Sequence, residues 1–377
     1  MKIAMFYHSL ASDWNHGNAH FLRGITTALI KRGHTVKVYE PENSWSLENL
    51  IKDHGKAKAA EYKKYYPLLD TSFYDPENPD YDAMLKGVDI VIVHEWNKPQ
   101  LVKEIGKLKN KYNYQLLFHD THHRAVSDIE NMQRYDFSNY DGALVFGKVL
   151  RDIYLENNWV NNVWVWHEAA DSSLFHPASE TEKDGDLVWI GNWGDNERTE
   201  ELMEFLIKPV KELGLKAKVY GVRYPDEALA ALKDAGIEYG GYLPNYKVPE
   251  VFAKYKLTVH VPRGPYVKLL PGIPTIRPFE AMACGIPLIS SPWKDEEELF
   301  RSGKDFLMAH NGQEMKDMMK KILKETDFAQ SLAQNGHKTV SEKHTCEKRV
   351  DELEIIIRQL QLNKKEIEKK PKTTAKL

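Results

Sequence analysis

The sequence predicts an α/β protein built from two successive parallel-sheet units. Short apolar segments alternate with amphipathic helical segments over most of the 377 residues. The alternation pauses at 171–185, DSSLFHPASETEKDG, and then restarts. Alternating strands and helices are typical of a parallel sheet with helices on both faces. A chain of this length also exceeds one ordinary hydrophobic core, which favours two domains.

The elements of each unit follow from the position of these segments. In the first unit, strands are predicted at 2–7, 35–39, 88–93, 114–118, 142–146 and 162–166, with helices at 18–32 and near 98–111. In the second unit, strands are predicted at 186–190, 216–220, 256–261 and 286–289, with helices at 196–213, 226–235 and 281–284. The predicted domains are 1–175 and 183–345, followed by a closing helix at 346–363 that packs back toward the first domain and a disordered tail at 364–377.

Composition excludes several classes of protein. The net charge of −3 provides no global basic field for nucleic acid. Cys284 and Cys346 have neither a disulfide pattern nor zinc-ligand spacing. No apolar run approaches the roughly 18 residues of a membrane span, and the first residues do not resemble a signal peptide. We expect a cytoplasmic protein. The lysine- and tyrosine-rich segment 50–66 is a solvated helical face or, at most, a peripheral contact with a membrane or an acceptor.

Ligands of open parallel sheets bind beyond the carboxyl ends of the strands. The loop HDTHHRA follows the strand at 114–118 and supplies His119, Asp120, His122 and His123. Zinc ligation, a polar wall with a general acid or base, and a plain surface loop are all compatible with this loop. Because histidine titrates near neutral pH, the polar wall is favoured.

The segment TIRPFEAMACGIPLISSPW, 275–293, places Glu280 in an otherwise small and apolar helix. A buried carboxylate is unfavourable unless it is paired. Arg277, three residues earlier on the same helical face, is one candidate partner, and a bound ligand rich in hydroxyl groups is the other.

Three further loops carry candidate ligand-binding residues. Gly17 precedes a helix, where it either lets the backbone approach a ligand or simply begins the helix. The loop GNWGDNER contains Asn192 and Arg198 and resembles an anion cradle, with an exposed helical arginine as the alternative. Tyr242 follows two glycines on a loop that could support a planar ring or form a plain turn.

Several of these segments resemble one family. FEAMACGIPLIS is similar to the signature helix of GT-B glycosyltransferases of the group 1 class, in particular their spore-maturation-type branch. IKRGHTVKVYEP, DIVIVHEW, LLFHDTHH, HEAADSSLFHP and EKHTCEKRVDELEIII resemble other parts of that class, so the similarity covers nearly the whole chain. The resemblance implies two Rossmann-like domains facing a cleft, an acceptor on the first and a nucleotide-sugar donor on the second.

The resemblance also implies roles for individual residues. Glu280 matches the glutamate that binds both ribose hydroxyls of the donor, which an acceptor-only carboxylate can do. Many members carry a second glutamate eight positions earlier, where this chain has Gly272. The loop with Gly272 and Ile273 is therefore expected to contact the donor sugar differently, for example through backbone N–H groups. The usual lysine of the second domain is missing too, so Arg198 or Arg277 could supply the charge at the diphosphate.

The activity expected from this resemblance is transfer of a sugar from a nucleotide-diphosphate donor to a hydroxyl of a saccharide, lipid-linked or protein acceptor. His119 matches the strand-end histidine of that class, so the resemblance makes it the candidate catalytic residue, with Asp120 beside it. The reaction is expected to be retaining and to need neither a protein-bound metal nor a cofactor, and nucleic acid is not an expected partner. The missing glutamate and lysine keep open a non-catalytic sugar-nucleotide- or glycan-binding protein. A sugar-nucleotide epimerase of the same fold is the third alternative.

Overall fold

The structure is a computed structural model that describes residues 1–179 and 181–369, without the side chains of 364–369. The first sheet is formed by β1 (Lys2–Phe6), β2 (Thr35–Pro41), β3 (Thr71–Tyr74), β4 (Ile90–His94), β5 (Gln115–Asp120), β6 (Gly142–Val145) and β7 (Val163–Val165). These seven strands are all parallel, in the order β3-β2-β1-β4-β5-β6-β7. Every residue of β4 and β5 is buried, as expected of central parallel strands.

The helices of the first domain are α1 (Ala19–Lys31), α2 (Trp45–His54), α3 (Tyr81–Leu85), α4 (Pro99–Tyr112), α5 (Arg124–Ser127), α6 (Ile129–Met132) and α7 (Lys148–Glu156). A 3₁₀ helix at Lys56–Lys64 follows α2. Its aromatic residues do not form a solvated face: Tyr62 and Tyr66 are buried, and their rings lie 5.4 and 5.7 Å from the Arg23 guanidinium. Tyr65 stacks on Tyr246 of the second domain with ring centroids 4.5 Å apart.

The second sheet is formed by β8 (Gly185–Ile190), β9 (Ala217–Tyr220), β10 (Glu238–Tyr239), β11 (Tyr255–His260), β12 (Leu288–Ser290) and β13 (Leu307–Met308). These six strands are also parallel, in the order β10-β9-β8-β11-β12-β13. The predicted pair of parallel-sheet domains is therefore confirmed. The periodicity that predicts it arises because the central strands are buried and the longer helices pack on the sheets with an apolar stripe.

The helices that cover the second sheet are α8 (Thr199–Leu202), α9 (Lys208–Leu213), α10 (Asp226–Asp234), α11 (Val248–Phe252), α12 (Gly264–Leu269), α13 (Ile276–Ala283), α14 (Gly312–Lys324) and α15 (Thr326–Lys343). A π-helical turn at Met203–Ile207 joins α8 to α9, and a 3₁₀ turn at Asn245–Lys247 precedes α11. Gly285, with φ of 67°, lies just after α13, where the left-handed conformation favours glycine.

The last helix, α16 (Cys346–Lys369), returns to the first domain and packs on α1. The approach is close, since a Cβ at Gly24 would lie 2.6 Å from Cys346 Sγ. Trp166 Nε1 donates a hydrogen bond of 2.7 Å to Arg349 O, which joins β7 to the same helix. The helix extends beyond the expected end at 363, and 370–377 of the expected disordered tail lie outside the described residues. Among the described helices, none combines the length and the apolar character of a membrane span.

Candidate active site

A cleft with a volume of about 930 Å³ lies between the two domains. Its lining comes from the segments that follow β1, β2, β4 and β5 in the first sheet and β8, β9, β10 and β11 in the second. Both sheets thus present their carboxyl ends to the same cleft, which is where ligands bind in open parallel sheets.

The wall formed by the second domain is rich in arginine, with Arg198, Arg223, Arg263 and Arg277 lining the cleft. The Arg198 guanidinium donates hydrogen bonds of 2.5 Å to the carbonyl oxygens of Asn192 and Val261. Burial, together with the nearby positive charges of Arg263 and Arg277, lowers the pKa of Arg198 to about 9. Positive charge is therefore concentrated in a poorly solvated place, where an anion would be bound favourably.

Glu280 is fully buried on α13 and is not among the residues that line the cleft. Its Oε2 accepts a hydrogen bond from Arg277, and its Oε1 lies 2.9 Å from Nδ1 of His20 on α1. The candidate partner Arg277 is thus in contact, and a residue of the first domain lies at the other carboxylate oxygen. Any ligand hydroxyl would have to replace one of these two contacts.

The segment that leads into α13 is strained. Thr275 has φ of 58°, a value that is rare for a β-branched residue. Its hydroxyl lies 3.2 Å from His260 Nε2, and both residues line the cleft beside Arg277. Burial, followed by the charges of Arg198 and Arg277, lowers the pKa of His260 to about 3, so this imidazole is neutral at pH 7. Backbone strain of this kind is typical of functional sites.

Gly272 and Ile273, which were expected to contact the donor sugar, are not among the residues that line the cleft. The Gly272 N–H already donates a 2.7 Å hydrogen bond to Lys294 O. Ile273 is buried in the apolar cluster of the first domain, close enough to Gly147 that a Cβ there would lie 2.6 Å from it. This loop therefore joins the domains through apolar packing.

Asn192, Tyr242 and Gly17 do line the cleft, although the two side chains are engaged in contacts between the domains. Asn192 Nδ2 donates to Asn15 Oδ1, and the Tyr242 hydroxyl donates to Asp13 Oδ1. Gly17 faces Ile276, since a Cβ at this glycine would lie 3.6 Å from Ile276 Cγ2. The loop after β1 therefore runs along the second domain.

His119 does not lie on the wall of the cleft, although it was the predicted catalytic residue. The side chain is fully buried and packs against Trp166 and His94, with ring centroids 4.8 and 5.3 Å away. Burial lowers its pKa to about 3. Asp120 is buried as well; it accepts hydrogen bonds from Tyr154 Oη at 2.6 Å and His122 N at 2.9 Å, and burial raises its pKa to about 6. His119 and Asp120 therefore lie beneath the residues that line the cleft.

The wall itself is formed by His122 and His123 from the same loop, together with His16. Burial lowers the pKa of His16 to about 3 and that of His123 to about 4, and the pKa of His122 is also well below its usual value. His123 Nδ1 contacts Ser127 Oγ at 2.7 Å. These imidazoles are neutral at pH 7 and can exchange hydrogen bonds with hydroxyl groups.

Sequence reasoning missed Arg263, Thr275 and His16. Arg263 follows directly after β11 in TVHVPRG, and His16 lies in HSLASDWNHGNAH after β1. The strand-end argument that selected His119 applies equally to these two positions. The strain at Thr275 has no counterpart in the sequence pattern.

The residues that the structure describes contain no group of three or more histidine, cysteine, aspartate or glutamate side chains arranged to hold a metal ion. The histidine loop, for which zinc was one alternative, therefore has no such arrangement. Its rings instead pack on one another and on Trp96, with His122 and His123 centroids 4.0 Å apart.

Comparison with known proteins supports this architecture. Residues 198–355 match a protein family described as glycosyl transferase-like, so the second domain carries a glycosyltransferase-type sequence. No curated protein matches the chain. Sucrose-phosphate synthase from Thermosynechococcus elongatus is similar in structure, with 15% identity, a TM-score of 0.66 and coverage of 96% of this chain and 100% of that one. The fold is GT-B.

Other GT-B neighbours have been solved with nucleotides. Anabaena HepE in complex with UDP and glucose is 12% identical, with a TM-score of 0.63 and coverage of 95% of this chain and 100% of that one. An α-glucosyltransferase in complex with UDP and a 13-mer DNA is 12% identical, with a TM-score of 0.65 and coverage of 95% and 99%. At these identities the likeness shows the fold alone.

Proposed function

We propose that the protein transfers a sugar from a nucleotide-diphosphate-sugar donor to a hydroxyl group of an acceptor. The observation that carries the proposal is a single cleft with two chemically different walls. Arginines line the wall of the second domain, and neutral histidines line the wall of the first. Transfer needs this combination, because negative charge develops on the leaving diphosphate while a neutral hydroxyl attacks.

Arg198, Arg263 and Arg277 are the proposed diphosphate ligands. Arg198 is held by two carbonyl oxygens and has no carboxylate partner within 4.0 Å among the described residues, so its charge is poorly compensated. Arg263 has only a 3.4 Å contact with Glu197. A guanidinium can hold two phosphate oxygens in one fork, and these arginines would supply the charge that the missing lysine supplies elsewhere.

Glu280 is the proposed ribose ligand, and Arg277 controls access to its carboxylate. In the structure Arg277 occupies Oε2 of this carboxylate. A diphosphate would attract Arg277 toward the cleft, and the carboxylate could then accept both ribose hydroxyls. Arg277 lines the cleft and lies one turn before Glu280 on α13, so the exchange of partners would begin at the cleft wall.

His16 is the residue we propose to contact the acceptor hydroxyl or the transferred sugar. Its neighbour Asn15 contacts Asn192, and its neighbour Gly17 faces Ile276, so the ring lies where the two walls meet. The low pKa makes His16 a weak base, which favours positioning of the hydroxyl over full proton removal in the unliganded protein.

Two finer features belong to the same proposal. Transfer without a protein-bound metal is supported by the arginines, which can neutralise the leaving diphosphate. Retention of the anomeric configuration is supported by the resemblance to the group 1 class alone, and the proton NMR spectrum of a freshly formed product would test it.

The alternative of a non-catalytic binding protein is favoured by one observation: the loop with Gly272 lies outside the cleft. The test begins with a thermal-shift screen against UDP, GDP, dTDP and CMP, in which the preferred nucleotide raises the unfolding temperature by mass action. Slow release of that nucleoside diphosphate from its sugar donor would support the enzyme. Binding without any release, with or without acceptors, would support the binding protein, and conversion into an epimeric sugar nucleotide would support the epimerase.

Arg263→Ala tests the arginine wall, with Arg151→Ala as the control. Arg151 lies in the first domain beside Asp152 and outside the cleft. Loss of one charged hydrogen-bond donor should weaken nucleotide binding by about 10- to 100-fold. Equal affinity of the Arg263 and Arg151 variants would contradict the proposed diphosphate site.

A further inference from the structure

Two tryptophans of the first domain lie open on the wall of the cleft. Trp45, at the beginning of α2, is 52% exposed, and Trp96, in the loop after β4, is 44% exposed. Both line the cleft. Such large aromatic side chains are mostly buried in folded proteins, and an exposed apolar group inside a ligand-sized cleft indicates a binding surface.

Neighbouring side chains pack against the Trp96 indole and hold it in place. The Arg124 guanidinium lies 3.9 Å from its ring centroid, and Arg124 is in turn fixed by Glu95 at 2.8 Å. The ring of His122 meets it edge-on at 4.9 Å. One face of the indole is therefore covered by a fixed side chain, while nearly half of the residue remains open to the cleft.

Trp45 has the same arrangement. The buried Trp14 packs against it at right angles, with ring centroids 5.0 Å apart, and Trp14 Nε1 is anchored by Asp53 at 3.0 Å. From the second domain, Arg223 reaches to within 5.7 Å of the Trp45 ring, and its charge is paired with Asp195 at 2.9 Å. Trp96 and Trp45 are thus two rigid aromatic platforms that face the same cleft.

The wall around the platforms carries almost no free charge. Among the described lining residues of the first domain, the charged side chains are Asp13 and Lys98. Asp13 is paired with Arg23 at 2.8 Å, and Lys98 with Glu77 at 3.1 Å. Histidines, amides and aromatic rings supply the rest, and the histidines His16, His122 and His123 are held neutral by burial.

We propose that this wall binds a neutral saccharide chain, so that the acceptor hydroxyl belongs to a sugar and neighbouring sugar rings stack on Trp96 and Trp45. This proposal rests on the proposed transferase function. The C–H face of a sugar ring is apolar and carries partial positive charge, which suits the negative face of an indole. The hydroxyl groups at the ring edges need hydrogen-bonding partners of the kind that imidazoles and amides offer.

Two other kinds of acceptor could contact exposed tryptophans, namely single-stranded nucleic acid and a lipid chain. The charge and polarity of the wall favour a saccharide over both. Single-stranded nucleic acid also stacks on aromatic rings, but its binding sites track the phosphates with a positively charged groove. The described wall offers no unpaired lysine or arginine for that purpose. A lipid chain would need a continuous apolar surface, whereas polar groups of Asn43, Ser44 and Gln100 interrupt this one.

The experiment uses isothermal calorimetry of the whole protein, saturated with its preferred nucleotide, with maltohexaose, cellohexaose and chitohexaose as probes. A 13-base single-stranded DNA and phosphatidylglycerol vesicles are titrated in parallel. The variants are Trp96→Ala and Trp45→Ala. Phe73→Ala is the matched control, because Phe73 is 49% exposed in the same domain and lies outside the cleft. Trp96→Phe keeps a ring and guards against misfolding of the alanine variant.

We expect at least one neutral hexasaccharide to bind, with affinity reduced about tenfold or more by Trp96→Ala, partly restored by Trp96→Phe and unchanged by Phe73→Ala. The saccharide proposal is overturned if no hexasaccharide binds while the nucleotide does, if DNA or vesicles bind in their place, or if folded Trp96→Ala binds the hexasaccharide like wild type. Failure of every nucleotide to bind wild type would instead overturn the proposed function itself.

Discussion

Substitution of Glu280 by glutamine separates a donor ligand from a structural ion pair. The side chain is fully buried, between Arg277 and His20, and glutamine has nearly the same shape. If the carboxylate accepts both ribose hydroxyls, removal of its charge weakens two charge-assisted hydrogen bonds. At roughly 1.5–3 kcal/mol for hydrogen bonds to a charged group, donor affinity should fall by about 10- to 100-fold.

The structural role predicts a different result. Breaking a buried ion pair leaves an uncompensated charge and costs roughly 3–5 kcal/mol of unfolding free energy. The side chain of Arg277 is 13% exposed, so water can compensate part of this loss. For a domain of this size each 1 kcal/mol lowers the unfolding temperature by roughly 2–4 °C. A purely structural Glu280 would therefore appear as a large thermal shift with unchanged affinity.

Both quantities are measured on the same sample, by calorimetric titration with the preferred nucleotide and by thermal unfolding. Asp305→Asn is the control, because Asp305 is a buried carboxylate of the second domain paired with Arg301 at 2.6 Å and lies outside the cleft. It should lose stability and keep its affinity for the nucleotide. A folded Glu280→Gln variant with wild-type affinity would refute the ribose assignment.

Three other predictions follow from the cleft. Excess EDTA should leave turnover largely intact, and complete loss restored by manganese or magnesium would contradict transfer without a protein-bound metal. His119→Ala should lower stability with little effect on kcat, because the ring is enclosed, whereas His16→Ala, at the residue proposed to contact the acceptor hydroxyl or the sugar, should lower kcat by roughly 10²–10⁴-fold; the reverse order would restore His119 as the catalytic residue. The pKa of His119 is about 3 when folded and about 6.5 when unfolded, so its contribution to stability is complete above pH 6.5 and is lost as the pH falls toward 3. Urea unfolding at pH 7, 6 and 5 should show a pH dependence weaker in His119→Ala by up to about 1.4 kcal/mol per pH unit, and equal slopes would contradict this.

The sheets were predictable because their signal is repeated many times along the chain. The edge strands β3 and β13 were missed, since four and two residues respectively carry too little periodicity to identify a strand. The helix α12 contains a glycine and a proline at its beginning and was also not predicted. Short elements of this kind form because the neighbouring strand or loop supplies hydrogen bonds and packing, which no local pattern records.

The burial of His119 was not predicted for a related reason. The strand was expected to end at 118, whereas β5 continues to Asp120 and pairs with β6. An extension of two residues moves His119 from a loop into the sheet, where it pairs with His94 and is covered by Trp166. Both faces of this strand are buried, so alternation of polar and apolar residues could not reveal which way the side chain points.

The position of Gly272 explains how the second domain differs from the expected pattern. Many members of the class that the sequence resembles carry a glutamate at this position, but here the loop turns away from the cleft, with φ of 95° at Gly272 and Ile273 packed in the first domain. A glutamate at this position would be strained and would lie near Glu297, because a Cβ would be 3.2 Å from Glu297 Cγ. Under the proposed function, contacts to the sugar would come from groups that line the cleft, among them the strained Thr275 and the arginines.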